Sequence, residues 1–320
     1  MPSRPLAAAL AVLLVLVVLA GCGSDDDTAS PPTTSSAAGE TASAAAEFPV
    51  TVEADNGAVT LEEEPDAIVS LSATATESLF AIGAGEQVIA VDEQSDYPAD
   101  APVTDLSGFE PNVEAIAGYE PDLVIAAYDP GGLVDGLEKL DIPVLLQDAA
   151  PDLDAAYEQI ETLGEATGNV EGAETVVESM RIEIDELARS APGAEGATVY
   201  HELGPDFFSA TSETFIGSVY ELFGLVNIAD AAAGADAGGY PQLTGEHIVS
   251  ESPDLIVLAD TTCCGQTAAT VAGRPGWDQI EAVENGDIVE ADDDIASRWG
   301  PRTVVFVEQI AEALAGMGRS

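Results

Sequence analysis

The chain has 320 residues, 46% of them hydrophobic and 5% aromatic, an ordinary globular composition with length enough for two lobes that each bury a core. Its charge is extreme: 59 acidic residues against 8 basic ones give a formal net charge of −51, so there is no basic surface to neutralise a phosphate backbone, and nucleic acid is excluded as a partner. Lys139 is the sole lysine, and the acids are spread along the folded part, which reads as a strongly solvated surface of a kind that a salt-rich habitat would suit.

In chain order, Arg4 precedes an apolar run from Leu6 to Ala20. The run is short for a membrane span and is closely followed by polar residues, so residues 1–21 read as a secretory signal. Residues 22–47, small, polar and low in complexity after Cys22, cannot bury a core and are expected to form a disordered tether. Residues 67–71 (AIVSL) and 88–91 (VIAV) are predicted as buried strands, and Leu79, Phe80 and Ile82 between them suit one helical face. A short helix over 112–119, a break at Pro121 and a strand over 123–127 follow. A helix over 133–140 and a strand over 143–147 then complete an N-terminal α/β lobe, residues 48–150. Over 151–192 there is no strand signal. Ala156, Ile160, Leu163, Val176, Met180, Ile184 and Leu187 recur at helical spacing, interrupted near Gly164 to Gly172. This is read as a connecting helix. Residues 193–320 carry strand signals at 198–202, 254–259 and 287–290 and a terminal helix over 302–315, so the second lobe is also α/β.

One stretch occurs twice. NVEAIAGYEPDLVIAA, from Asn112, and TGEHIVSESPDLIVLA, from Thr244, align at a constant offset, with Glu114/Glu246, Ile116/Ile248, Pro121/Pro253, Asp122/Asp254 and Leu123/Leu255 identical. A common helix-to-parallel-strand junction accounts for the proline, aspartate and leucine but not for the matching glutamates. The repeat therefore marks one position in each of two similar lobes.

These segments resemble the class III substrate-binding proteins of bacterial ABC importers, receptors for ferric siderophores, haem, cobalamin or metal ions. AIVSLSATATESLFAIGAGEQVIAV, QSDYP, NVEAIAGYEPDLVIA, FIGSVYELFGLVNIAD, GRPGWDQIEAVENGDIV and DDDIASRWGPR stand in the family's order, from about Ala67 to the C-terminus. The resemblance implies two Rossmann-like lobes joined by a long rigid helix, with ligand in the cleft between them. It implies permease docking through Glu114 and Glu246, although the helix dipole also favours a glutamate early in a short helix. Leu19-Ala20-Gly21-Cys22 resembles the bacterial lipobox, which implies that Cys22 is diacylated and anchors the protein on the extracytoplasmic face of the cell membrane. The implied partners are an ABC permease with its ATPase, and an iron chelate or corrinoid. No cofactor is implied.

For the cleft, the resemblance places Asp294 and Arg298 where cobalamin-binding relatives touch ligand, and Tyr240 where they carry a ligand-facing tryptophan. Arginine presents paired planar donors for carboxylate, phosphate or amide; for Arg302 the expectation is an ion pair with Asp292, Asp293 or Asp294. Tyr97, Phe109, Phe207, Phe208 and Trp299 are candidates to stack on a large flat ligand, each equally well a core residue. Gln94 departs from the cobalamin group, which has an aromatic residue there.

Cys263 and Cys264 follow a strand end, where open α/β folds place ligands. A vicinal disulfide, free thiols and metal-binding thiolates all remain open for them. With only His201 and His247 in the chain, a closed zinc site is not expected. His201 and Glu202 are either a metal-binding pair, which makes a metal-ion receptor the alternative function, or a buried, hydrogen-bonded histidine beside a carboxylate. Neither GxSxG nor GxxxxGK[ST] occurs, so the chain is not expected to be an enzyme. A cysteine hydrolase using His201 and a structural surface lipoprotein are the readings from other classes.

Overall fold

Two antiparallel strands, β1 (Val50–Ala54) and β2 (Gly57–Leu61), precede the first lobe in the computed structural model, which describes residues 48–191, 194–232 and 238–317. The signal, the tether, Cys22 and Pro192-Gly193 lie outside the described residues. The first lobe then runs β3 (Ile68–Leu71), α1 (Ala73–Ile82), β4 (Val88–Val91), α2 (Val113–Ala117), β5 (Leu123–Ala126), α3 (Leu133–Glu138) and β6 (Val144–Leu146). Its parallel sheet has the order β4-β3-β5-β6. Every residue of β3, β5 and β6 is buried, as a parallel sheet covered on both faces requires. Fully burying each Val, Leu or Ile side chain contributes ~1.5–3 kcal/mol.

The connector is two helices, α4 (Leu153–Thr167) and α5 (Val170–Ser190), meeting at Gly168 and Asn169, where the sequence shows its interruption. Gly168 adopts φ 78° as the left-handed cap of α4, a conformation that glycine takes without steric cost. The second lobe runs β7 (Thr198–Glu202), α6 (Phe215–Glu221), β8 (Val226–Asn227), α7 (Gly245–Glu251), β9 (Leu255–Leu258), α8 (Thr261–Cys264), α9 (Ala268–Ala272), α10 (Glu281–Asn285), β10 (Ile288–Glu290), α11 (Asp293–Ser297) and α12 (Thr303–Met317). Its parallel sheet is ordered β10-β9-β7-β8. Both sheets therefore follow one path: the second strand lies on one side of the first, and the third and fourth lie on the other.

The repeated stretch is α2–β5 in one lobe and α7–β9 in the other, and its shared residues have shared tasks. Asn112 and Thr244 cap the two helices, accepting from the Ala115 and His247 amides. Asp122 accepts from the Asp66 amide, and Asp254 from the Thr198 amide and hydroxyl, so each aspartate ties the third strand to the start of the first. Even the backbone repeats: Glu120 and Ser252, each just before the proline, have φ of 54° and 45°.

One apolar cluster runs through α1, the inner faces of α4 and α5, β7, α6 and α12, joining Leu79, Leu163, Met180, Val219 and Phe306. Helix α5 packs against α1 of the first lobe and α12 of the second. Because interiors are close-packed, this shared core makes the connection between lobes stiff.

Candidate functional site

A cavity of about 240 Å3 opens between the lobes. The first lobe supplies Leu71 and Ser72 at the end of β3, Asp92 and Gln94 after β4, Gly108 and Phe109, and Tyr128 just after β5. The second supplies Asp294 and Ser297 on α11, then Arg298 and Trp299. Strands β3 and β5 are the neighbours at which the strand order reverses, and parallel sheets hold ligands outside the carboxyl ends at such a point.

Aromatic side chains rim the cavity from both lobes. Phe109 and Tyr128 stack with ring centroids 5.6 Å apart, and both are well exposed. Across the cleft stands Tyr240, also exposed; burial and then the nearby Tyr128 hydroxyl push its phenol above the ordinary range. Trp299 forms part of the wall, its indole nitrogen donating to Gln159 Oε1 on α4 at 2.8 Å. Tyr97 departs from expectation. It lies outside this cavity, along a separate groove bordered by Phe80, Met180 and Val305, because its ring covers the Arg302 guanidinium at 4.3 Å. Phe207 likewise stacks on Trp277, at 5.7 Å, within the second lobe.

Arg298 reaches the cavity with both Nη atoms engaged. Nη1 donates to Glu77 Oε1 at 2.8 Å and Asp96 Oδ1 at 3.3 Å, while Nη2 donates to the Gln94 carbonyl at 2.9 Å and meets Asp294 Oδ1 at 2.7 Å. Glu77, buried in α1, also accepts from Arg302 Nε at 2.8 Å and Nη2 at 2.5 Å. Arg302 is thus an ion-pair residue as expected, but with Glu77 of the other lobe rather than with Asp292, Asp293 or Asp294. Beneath the cavity, Asp92 Oδ1 accepts from Ser95 at 2.6 Å, and Ser95, Thr76 and Ser70 continue the chain of hydroxyls. Burial holds the Asp92 carboxyl above the usual range against that hydrogen bond, and burial raises Asp294 against the pull of Arg298.

Tyr128, Glu77 and Asp92 were not among the residues singled out from sequence. Tyr128 had a signal, since it directly follows the repeat's strand, at the position that Asp260 occupies in the second lobe. Glu77 had another: an acid among the apolar residues of ATATESLFAI needs a cationic partner.

His201 and Glu202 fall on opposite faces of β7, as successive strand residues must. His201 is enclosed with Tyr220, whose hydroxyl lies 2.6 Å from Nδ1, and packs on Phe306; burial pushes its pKa down to about 3. Glu202 turns the other way and is held by both Nη atoms of Arg274, at 2.6 and 2.5 Å. The reading in which both residues ligate one ion is corrected by this alternation. Among the described residues, no group of three or more His, Cys, Asp and Glu is placed to hold a metal ion. Nor does His201 serve a cysteine nucleophile, because Cys263 and Cys264 are exposed on α8, joined as a vicinal disulfide, while His201 is wholly buried. Asp293, next to the cavity's Asp294, accepts from the Thr262 and Cys263 amides. Asp260, buried at the end of β9, is pushed up to about 7 by burial and then by the Glu202 charge.

Glu114 and Glu246 are exposed in the first turns of α2 and α7, at equivalent points of the two lobes.

A family model described as periplasmic binding protein matches residues 68–295. The ABC transporter substrate-binding lipoprotein YvrC of Bacillus subtilis is 34% identical over 278 residues, 83% of this chain and 86% of that protein. A cobalamin-binding protein of Halobacterium salinarum is 33% identical over 282 residues, covering 85% of this chain and 76% of its own. Among solved structures, the vitamin B12 binding protein BtuF of Vibrio cholerae aligns with a TM-score of 0.67 at 25% identity, covering 80% of this chain and 99% of that one. The heme-binding protein RhuT of Roseiflexus sp. aligns with a TM-score of 0.69 at 24% identity over 79% of this chain and 99% of its own, a likeness of fold.

Proposed function

Because the chain belongs to the periplasmic binding protein family, the substrate-binding receptors of ABC importers, we propose that it captures a large flat ligand, a corrinoid or an iron chelate, between its lobes and passes it to a permease without chemistry. The observation that carries this reading is the interlobe cavity lined by Phe109 and Tyr128 from one lobe and by Trp299 from the other, with Tyr240 of the second lobe close enough to Tyr128 to feel its hydroxyl. Stacked faces of this kind reward a ligand with a broad apolar surface. At about 240 Å3 the cavity admits an edge or a peripheral group of such a ligand, and the remainder lies between the aromatic rims. The relative from Halobacterium salinarum, named for binding cobalamin, favours the corrinoid.

Glu114 and Glu246, exposed at matching places on the two lobes, are the proposed contacts for basic residues of the permease, one glutamate per lobe. Cys22 is the proposed lipid anchor, consistent with the lipoprotein relative in Bacillus subtilis. On this reading Asp294 and Arg298 shape the floor of the ligand site, and Tyr97 steadies Arg302 beside it.

Calorimetric titration with cyanocobalamin, ferrioxamine B and haemin tests the reading. At least one should bind one-to-one, and Tyr128→Ala should weaken it roughly tenfold, the worth of a lost stacking partner and its buried area. Glu114→Ala with Glu246→Ala should abolish uptake and leave that affinity unchanged. Failure of all three compounds to bind would remove the receptor reading for these ligand classes, and weakened binding with intact uptake would move the glutamates into the ligand site.

A further inference from the structure

The charge balance at the cavity floor runs against the first expectation for Arg298. A guanidinium carries five N–H donors, two on each Nη and one on Nε. In Arg298 both Nη1 donors have acceptors, Glu77 and Asp96, while Nη2 donates to the Gln94 carbonyl and stands in ion-pair contact with Asp294. The charge that would attract a ligand carboxylate or phosphate is therefore already met by three of the protein's own carboxylates, Glu77, Asp96 and Asp294. Arg302, the neighbouring cation, is likewise closed on Glu77 and roofed by Tyr97. Among the described residues, Arg298 is the sole cationic side chain lining the cavity, whereas both Asp92 and Asp294 line it. Asp294 is only partly buried and meets a single side chain, Arg298. A carboxylate has about four acceptor sites, so Asp294 retains capacity to accept from a ligand. Gln94 adds an exposed amide on the opposite wall.

We propose that the cavity floor selects by charge: it accepts ligands whose inserted group is uncharged or cationic and donates hydrogen bonds, such as a carboxamide or an ammonium, and it rejects a carboxylate or phosphate. Asp294 is the specificity-determining residue, with Asp92 behind it, and Arg298 acts as a strut between lobes that Glu77, Asp96 and Asp294 keep neutralised. This rests on the cavity being the ligand site. It is distinct from repulsion by the overall charge of −51, because salt shortens the screening length to about 3 Å at about 1 M and leaves a contact at the floor in place.

Matched ligand pairs at 1 M NaCl separate the two effects. One pair is cyanocobalamin and its monocarboxylic acids, in which one peripheral carboxamide is replaced by a carboxylate. The other is ferrioxamine B, with its ammonium tail, and the N-succinyl derivative that ends in a carboxylate. The protein should bind the amide or ammonium member at least about tenfold more tightly than the acid, for at least one corrinoid isomer or for the ferrioxamine pair, one charged contact being worth about that factor. Asp294→Asn should close most of the gap by strengthening the acid. Equal binding of acid and parent members in every pair, or a gap that Asp294→Asn leaves intact, overturns the charge selection while the receptor reading stands. Absence of binding by both members of both pairs removes the receptor reading for these classes, and the inference with it.

Discussion

Glu77 offers the sharpest energetic test of how the lobes are held. Its carboxylate is buried in α1 with side-chain exposure of 1%, and it receives Arg298 at 2.8 Å and both Nε and Nη2 of Arg302, at 2.8 and 2.5 Å. In Glu77→Ala, Arg298 retains Asp96, Asp294 and the Gln94 carbonyl, whereas Arg302 loses the carboxylate that takes two of its donors. Removing one member of a buried ion pair costs about 3–5 kcal/mol. Arg298 and Arg302 keep side-chain exposures of 11% and 19%, so water recovers part of that cost and the lower end, about 3 kcal/mol, is expected. For a domain of this size that is a fall of about 6–12 °C in melting temperature. Urea melts followed by circular dichroism, at one fixed salt concentration, read it directly. Asp154→Asn is the control: its pair with Arg181 is exposed, at 79% and 49%, and should be worth about 0–1 kcal/mol. A Glu77→Ala cost no larger than the control's would refute the reasoning that this cluster fastens the lobes.

Asp260, pushed up to about 7, keeps its proton in the folded chain from about pH 4, where an unfolded aspartate loses it, up to about 7. Its contribution to stability therefore falls as pH rises through that window. Asp260→Asn removes this titration, so the variant's stability relative to the parent should increase between pH 5 and pH 8 in urea melts, and a difference independent of pH would contradict the assignment. A Cβ on Gly108 would stand 2.7 Å from Asp92 Oδ2 and 2.8 Å from the Leu71 carbonyl. Gly108→Ala should accordingly cost about 1–3 kcal/mol and weaken ligand binding, and wild-type melting and affinity together would show that the loop yields freely. With a net charge of −51, the melting temperature should climb as NaCl shortens the screening length from about 30 Å at about 0.01 M to about 3 Å at about 1 M; a flat response would show that the acids are already compensated.

The parallel strands were legible because strands buried on both faces read as unbroken apolar runs, and the repeat announced two lobes through Glu114 and Glu246. The β1–β2 hairpin is not legible in the sequence: VTVEA and GAVTL bury Val52, Val59 and Leu61, too sparse a pattern to stand out. In the site, Phe109, Asp294, Arg298 and Trp299 do line one cavity, whereas Tyr97 is turned away by Arg302. The engagement of Arg298 could not be read from sequence, since Glu77 lies 221 positions away and only the folded connector brings them together. The alternation of His201 and Glu202 follows from the strand predicted at 198–202, and it separates the two side chains that a shared metal would need.

A crystal structure with the tightest-binding compound of the titration panel shows whether ligand sits between the lobes on aromatic faces from both. Density between the Phe109–Tyr128 stack and Tyr240, with an uncharged or cationic group directed at Asp294, is the predicted result. Density in the groove beside Tyr97, Met180 and Val305 instead, with the interlobe cavity holding only solvent, would contradict it.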